Sequence, residues 1–252
     1  MYKSSNPALG NDVFAKSKSL SNSQEVMTLQ GTINKSFILI ALFSGTFMMS
    51  FEQTMSAIRS GSQAAGTGLL MGLLISTFIL ALVIIFKKTL APFLAPIYAL
   101  LEGALVGNIS GYYEFRYGGI VGQAAMATIS VFMVLLFLYK SKIIKPTENF
   151  KLGLAAATGG ICILYLVQFV WSFFGGGFSF INGATPFGIG FSVVVVCIAA
   201  LNLVIDFDFI ENGVAKRAPK FMEWYSAFGL LITLVWLYLE ILRLLSKLRS
   251  RN

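Results

Sequence analysis

Residues 64–86, AAGTGLLMGLLISTFILALVIIF, contain no charged side chain. A helix needs about 20 apolar residues to cross roughly 30 Å of hydrocarbon, and this stretch supplies them without interruption. Hydrophobic residues make up 56% of the 252-residue chain and charged residues only 12%, whereas a soluble domain carries about 25% charged residues. The sequence therefore predicts an all-α polytopic membrane protein.

Seven stretches are apolar enough to form transmembrane helices. They are residues 36–57, 64–86, 90–112, 119–139, 152–174, 188–209 and 224–245. The segment FFGGGFSFINGATPFG separates the fifth stretch from the sixth, because Gly and Pro interrupt helices. Residues 1–35 are polar and rich in Ser, which predicts an uncleaved, mobile tail and a transmembrane domain over residues 36–248.

The distribution of Lys and Arg predicts the orientation. Most basic residues of the connections lie in the tail and in the second, fourth and sixth connections, and only Arg59 and Arg116 lie in the loops of the opposite side. Cytoplasmic loops carry the excess of Lys and Arg, so a cytoplasmic N-terminus is expected. Four bases near the C-terminus would then end outside after seven crossings. Six spans with a re-entrant last segment are the alternative. A break at Gly229 would make the final span begin near Leu230.

Composition also narrows the function. The bases are confined to connections between apolar runs, as insertion in a membrane requires, and this argues against a nucleic-acid partner. The chain has no His, the commonest metal ligand. Cys162 and Cys197 lie in apolar runs and are interpreted as small core residues. The GGG at 175–177 has no following Lys-Ser or Lys-Thr, so no phosphate-binding loop and no cofactor is predicted.

Ionisable residues inside transmembrane segments are costly and indicate functional sites. Five carboxylates meet this description: Glu52, Glu102, Asp206, Asp208 and Glu240. Glu52 is close to the outer end of the first stretch, where a surface position is favoured. Glu102 precedes the small residues Gly103 and Gly107, which permit close helix contact. It is expected either to line a cavity or to be satisfied by packing.

The segment LVIDFDFIE at 203–211 places Asp206 and Asp208 two residues apart. Such residues point to nearly opposite faces of a helix, so they cannot both face one cavity. Asp206 is deeper and is the candidate for the interior. Asp208 is nearer the basic connection and is interpreted as a carboxylate at the cytoplasmic surface.

Glu240, in LVWLYLEILRLL, has Arg243 three residues further along, a spacing at which helical side chains meet. One interpretation is a structural ion pair. The other pairs Glu240 with Asp206 across adjacent helices, where two carboxylates in a medium of low dielectric constant would share one proton. This shared proton would close a pH-dependent gate, and its loss would open it. The same oxygen ligands suit Ca²⁺.

LNLVIDFDFIE and LVWLYLEILRLL, in this order, resemble the transmembrane Bax inhibitor motif family, in particular its bacterial YccA-like members. AMATISVFMVLLFLYKS in the fourth stretch supports the resemblance, which covers about residues 30–250. It implies a seven-helix bundle with the last helix central, in the bacterial cytoplasmic membrane. It also implies a pH-sensitive Ca²⁺ leak, with Asp206 and Glu240 as sensor. Asp208 and Arg243 would then tune this pair.

Three functions follow as hypotheses. The first is a cation leak, most simply for Ca²⁺, that is controlled by protons. The second is a non-conducting regulator that binds other membrane proteins, such as a quality-control protease. The third is an intramembrane aspartyl protease. This last function is disfavoured, because Gly188-Ile-Gly190-Phe191 has Phe where an Asp is needed and the last stretch offers Glu. No enzymatic activity is expected.

Overall fold

The computed structural model describes residues 26–61, 67–172, 174, 181 and 183–251. Most of the predicted N-terminal tail lies outside these residues. The first helix begins at Leu29 rather than near residue 36, because Thr28 caps it: the Thr28 side chain accepts a hydrogen bond from the Gly31 amide at 2.9 Å. The apolar pattern missed these first two turns or so, because most of their residues are polar.

Seven helices in the described residues are long and apolar enough to cross a membrane, which confirms the predicted fold class. Their bounds are α1 Leu29–Arg59, α2 Thr67–Phe86, α3 Ala91–Arg116, α4 Ile120–Lys140, α5 Glu148–Ser172, α6 Pro186–Ala215 and α7 Met222–Arg251. A 3₁₀ turn at Lys88–Leu90 leads into α3. The chain reverses direction at each connection, so the end of α7 lies opposite the start of α1.

The last helix is the central one. α7 packs against α1, α3, α4 and α6, and 56% of its apolar window is buried, compared with 11% for α2 and for α5. It is continuous over 30 residues, which is about 45 Å of helix. Gly229 does not break it, and no re-entrant segment occurs here. The described residues therefore contain seven helices long enough to span a membrane, and the continuous last helix does not fit the re-entrant alternative.

Glycines of α3 allow α1 to approach closely. A Cβ atom at Gly103 would collide with the Phe43 carbonyl oxygen and with the Thr46 hydroxyl, and one at Gly107 would collide with the Phe47 carbonyl oxygen. Small residues four apart have this role in membrane helices, as the sequence predicts for this pair. The α1–α3 contact is the most extensive helix pair of the bundle.

The interpretation of the two cysteines as core residues is wrong. Cys162 in α5 and Cys197 in α6 are both free and exposed on the surface of the bundle. Both lie near the middle of their helices, where the surroundings of a membrane helix are lipid. An apolar run does not distinguish a lipid-facing side chain from a buried one, because lipid tails are as apolar as a protein core.

Candidate functional site

A cavity of about 310 Å³ lies between α6 and the first half of α7, with one residue of α2 at its edge. Its wall is mostly apolar, and its polar side chains are Asp206 of α6 and Tyr225, Ser226 and Thr233 of α7. The other lining residues are Ile85, Ile205, Phe209, Phe228, Gly229 and Ile232. The prediction that Asp206 faces the interior therefore agrees with its position at this helix interface.

The polar atoms of this cavity are incompletely bonded. Asp206 Oδ2 and Ser226 Oγ are buried and have no hydrogen-bond partner within the described part of the chain. The Thr233 side chain lies against the Asp206 carboxyl group, and its hydroxyl also donates to the Gly229 carbonyl oxygen at 3.2 Å. Buried polar atoms are nearly always paired with protein or with ordered water. The cavity therefore has the room and the acceptors for water or a cation.

Glu240 is satisfied in a different way. Its side chain is 3% exposed, and its Oε1 lies 3.1 Å from Arg243 Nη1. The Tyr165 hydroxyl of α5 donates to the same oxygen at 3.0 Å and accepts from Arg243 Nη1 at 2.6 Å. The three side chains form a closed triangle in which the charge of Glu240 is balanced. This is the structural ion pair that the spacing of Glu240 and Arg243 allowed.

Asp206 and Glu240 lie at different depths. In the antiparallel α6–α7 pair, Ser192 is level with Lys247, whose Nζ donates to its hydroxyl at 2.7 Å, and Asp206 is level with Thr233. Both pairs give one register, which sets Glu240 level with Ala199. Seven residues of helix, about 10 Å, separate the two carboxylates along the bundle. In this conformation the two carboxylates are therefore not in contact.

Asp208 faces away from Asp206, as its position two residues along the helix predicts. Its Oδ2 forms an ion pair at 2.8 Å with Lys151 at the start of α5. Lys151 also pairs with the exposed Glu148 at 3.1 Å. Asp208 therefore joins α6 to α5 at the end of the bundle that carries the N-terminal end of α1.

The two remaining candidates lie apart from this interface. The Glu102 carboxyl group in α3 lies against the side chains of Thr77 and Tyr98, both of which are buried. Packing therefore satisfies Glu102, one of the two outcomes that the sequence left open. Glu52 is exposed on α1.

Glu223 and Lys247 are buried charges that the sequence reasoning did not single out. The Glu223 side chain is fully buried and pairs with Lys35 of α1 at 2.7 Å. The buried Lys247 donates to the carbonyl oxygens of Ile181 and Gly188 and to Ser192. Both residues stand near ends of the last helix, where a charged side chain looks like an ordinary surface residue. Their partners are far away in the sequence, so no local pattern identifies them.

The described residues do not form an evident site for a resident metal ion. No group of three or more His, Cys, Asp or Glu side chains comes together in the residues that the structure describes. Ca²⁺ prefers six to eight oxygen ligands, and the Asp206 cavity offers one carboxylate, hydroxyls and space for water. This set of ligands is smaller than the one that a dedicated Ca²⁺ cage supplies.

Comparisons with known proteins identify the family. Residues 6–250 match the family model described as Bax inhibitor 1 like. No curated protein and no solved structure gave a significant match. The family match spans nearly the whole chain, including the seven apolar helices and the Asp206 cavity. The chain therefore belongs to the Bax inhibitor 1 like family and is an integral membrane protein.

Proposed function

We propose that this protein is a pH-sensitive cation leak, with Ca²⁺ as the favoured ion, and that the Asp206 carboxyl group is its proton-sensitive point. The observation that carries the proposal is a pair of buried oxygens, Asp206 Oδ2 and Ser226 Oγ, in one cavity at the interface with the central helix. Neither has a hydrogen-bond partner among the residues that the structure describes. Ionisable groups at such interfaces commonly mark ion pathways.

The protonation state of Asp206 would decide whether a cation enters the cavity. A protonated carboxyl group is neutral and gives a cation no electrostatic attraction. An ionised one in surroundings of low dielectric constant attracts a cation strongly. The hydroxyls of Ser226 and Thr233 then add neutral oxygen ligands, as Ca²⁺ accepts. The leak should therefore increase as the pH rises.

Glu240 would act at a second level of the same interface. Its cluster with Arg243 and Tyr165 lies about 10 Å from Asp206 along the bundle. Because Arg243 neutralises Glu240, this ion pair does not attract a cation and is a barrier to its passage. A proton shared by Asp206 and Glu240, as the sequence suggested, would need α7 to slide by about two turns against α6. We therefore propose two separate elements, a proton-sensitive cavity and an ion-paired constriction.

A location in a bacterial cytoplasmic membrane, with the N-terminus in the cytoplasm, is part of the proposal. The connections on the N-terminal side carry most of the Lys and Arg residues. Three C-terminal bases that oppose this orientation are engaged within the bundle. Arg243 pairs with Glu240, Lys247 binds carbonyl oxygens, and Arg249 donates to the Gly118 carbonyl oxygen at 2.7 Å. Basic residues bonded in this way would influence the membrane orientation less than solvated ones.

The test is Ca²⁺ influx into proteoliposomes that contain a Ca²⁺ dye, measured from about pH 6 to about pH 8. One proton changes a rate at most about tenfold per pH unit. The native chain and the exposed control Glu52→Gln should show influx that increases with pH, whereas Asp206→Asn should show none of this pH response. Glu240→Gln should retain the pH response but lower the influx at every pH, because it leaves the positive charge of Arg243 unbalanced in the constriction.

Two results would change the proposal. Equal loss of the pH response in Asp206→Asn and Glu240→Gln would restore the shared-proton gate. Absence of influx at every pH, from folded and inserted protein, would exclude the leak. It would favour a non-conducting regulator of other membrane proteins. No catalytic role is proposed, because Asp206 has no second carboxylate beside it in the described cavity for general acid–base work.

A further inference from the structure

A second cavity, of about 370 Å³, opens at the end of the bundle where α7 ends. This is the end opposite the start of α1, and the cavity is separate from the Asp206 interface. Three tyrosines, Tyr112, Tyr113 and Tyr117, line it together with Arg116 and, from α7, Lys247 and Ser250. Its size is within the range of small-molecule sites, about 300–1,000 Å³.

The lining residues carry positive charge and no negative charge. Arg116 is exposed, and its guanidinium group lies 5.6 Å from the centre of the Tyr117 ring. Lys247 is buried, and its three bonds go to two carbonyl oxygens and a hydroxyl. Neither base forms an ion pair with a carboxylate within the described chain. A buried cation without an anionic partner is costly, so a bound anion would stabilise this wall.

Glu114, near the end of α3, does not supply this anion. The Glu114 carboxylate accepts hydrogen bonds from the amides of Gly119 and Val121, at 3.0 Å for Val121. It thereby caps the start of α4, where a negative charge is favoured. Glu114 is not part of the cavity wall.

The position and chemistry of the cavity indicate the kind of anion. Tyrosines are enriched at the membrane–water interface, and Arg forms two-pronged hydrogen bonds with phosphate oxygens. On the cytoplasmic side of membranes, basic pockets between transmembrane helices bind phosphorylated lipid headgroups, and the same charge attraction operates at this opposite end. The Tyr112 side chain is 41% exposed, so its hydroxyl can reach a ligand that enters from the interface.

We propose that this cavity binds a phosphate group, with Arg116 as its direct ligand, Tyr112 as a hydroxyl donor and Lys247 as a buried charge behind them. The phosphate belongs either to an anionic lipid headgroup or to a soluble phosphate compound. This site is independent of the leak, since it lies at the other end of the bundle from Asp206.

The experiment measures the thermal unfolding midpoint of the detergent-purified full chain during titration with three probes. Dihexanoyl phosphatidylglycerol carries the phosphate and the lipid tails, dihexanoyl glycerol has the tails alone, and inorganic phosphate has no tails. Arg116→Gln should raise the half-saturating phosphatidylglycerol concentration about tenfold, the equivalent of one charge-assisted hydrogen bond. Tyr112→Phe should raise it less.

Arg59→Gln is the matched control, because Arg59 is an exposed arginine at the same end of the bundle but is not part of the cavity wall. Stabilisation by phosphatidylglycerol alone would identify a lipid headgroup, and stabilisation by inorganic phosphate as well would identify a soluble phosphate. The proposal is overturned if dihexanoyl glycerol stabilises as well as phosphatidylglycerol, if no probe stabilises the chain, or if Arg116→Gln behaves like Arg59→Gln.

Discussion

Glu223, at the start of α7, pairs with Lys35 of α1 at 2.7 Å, although 188 residues separate them in the sequence. The Thr28 amide and hydroxyl both donate to the other oxygen of Glu223 at 2.9 Å. The Glu223 side chain fills the space beside Gly31, where a Cβ atom would collide with it. This contact fastens the first helix to the central one at the end of the bundle nearest the Asp206 cavity.

Removal of the Glu223 carboxylate should destabilise the protein strongly. Glu223→Ala leaves Lys35 and the donors of Thr28 without their acceptor, and loss of one partner of a buried pair costs roughly 3–5 kcal/mol. The measurement is the unfolding midpoint of the purified protein in detergent. Glu148→Ala is the control, because the Glu148 side chain is 91% exposed in its pair with Lys151. A small effect of Glu223→Ala, equal to that of Glu148→Ala, would contradict this role.

Gly107→Ala should separate α1 from α3. The added methyl group meets the backbone carbonyl oxygen of Phe47 and the Ser50 hydroxyl, and the backbone cannot move aside as a side chain can. Overpacking of this kind costs about 1–3 kcal/mol or more. Gly122→Ala in α4 is the control, since its Cβ would meet nothing within 4 Å, and it should change stability by at most about 1 kcal/mol. Unfolding midpoints of the two variants provide the comparison.

The effects of Glu240 and Arg243 on the free energy of unfolding should be strongly coupled. Arg243→Met leaves the buried Glu240 carboxylate with only Tyr165, which should cost roughly 3–5 kcal/mol. In the double variant Glu240→Gln/Arg243→Met no charge remains, and most of the lost stability should return. A double-mutant cycle on unfolding free energies measures the coupling. Additive effects of the two substitutions would mean that the pair does not balance a buried charge.

Seven crossings place the C-terminal end of α7 opposite the loop between α4 and α5. In a chain with Cys162→Ala and Cys197→Ala, a membrane-impermeant maleimide should label Ser141→Cys and Arg251→Cys from opposite sides of sealed vesicles. A cytoplasmic N-terminus requires the Ser141→Cys side to be the cytoplasmic one. Labelling of both positions from one side would support six crossings instead.

Periodicity and hydropathy were sufficient to locate the seven spans, because the length and apolarity of a span are local properties of the chain. They also predicted that Asp206 and Asp208 face nearly opposite sides of the helix, because side chains two residues apart point in nearly opposite directions. The central place of the last helix came only from the family resemblance. The start of α1 was predicted too late, because its first turns are polar and are stabilised by the distant Glu223 and by the cap at Thr28.

The sequence by itself determined the class of fold, the seven apolar stretches and the small set of ionisable residues within them. Tertiary structure alone decided which of these charges meet. Whether Asp206 lies level with Glu240 or with Thr233 depends on the register between α6 and α7, and that register is set by side-chain packing along the whole interface. The partners of Glu223 and Lys247 are likewise distant in sequence. Only the folded bundle brings them within hydrogen-bond distance.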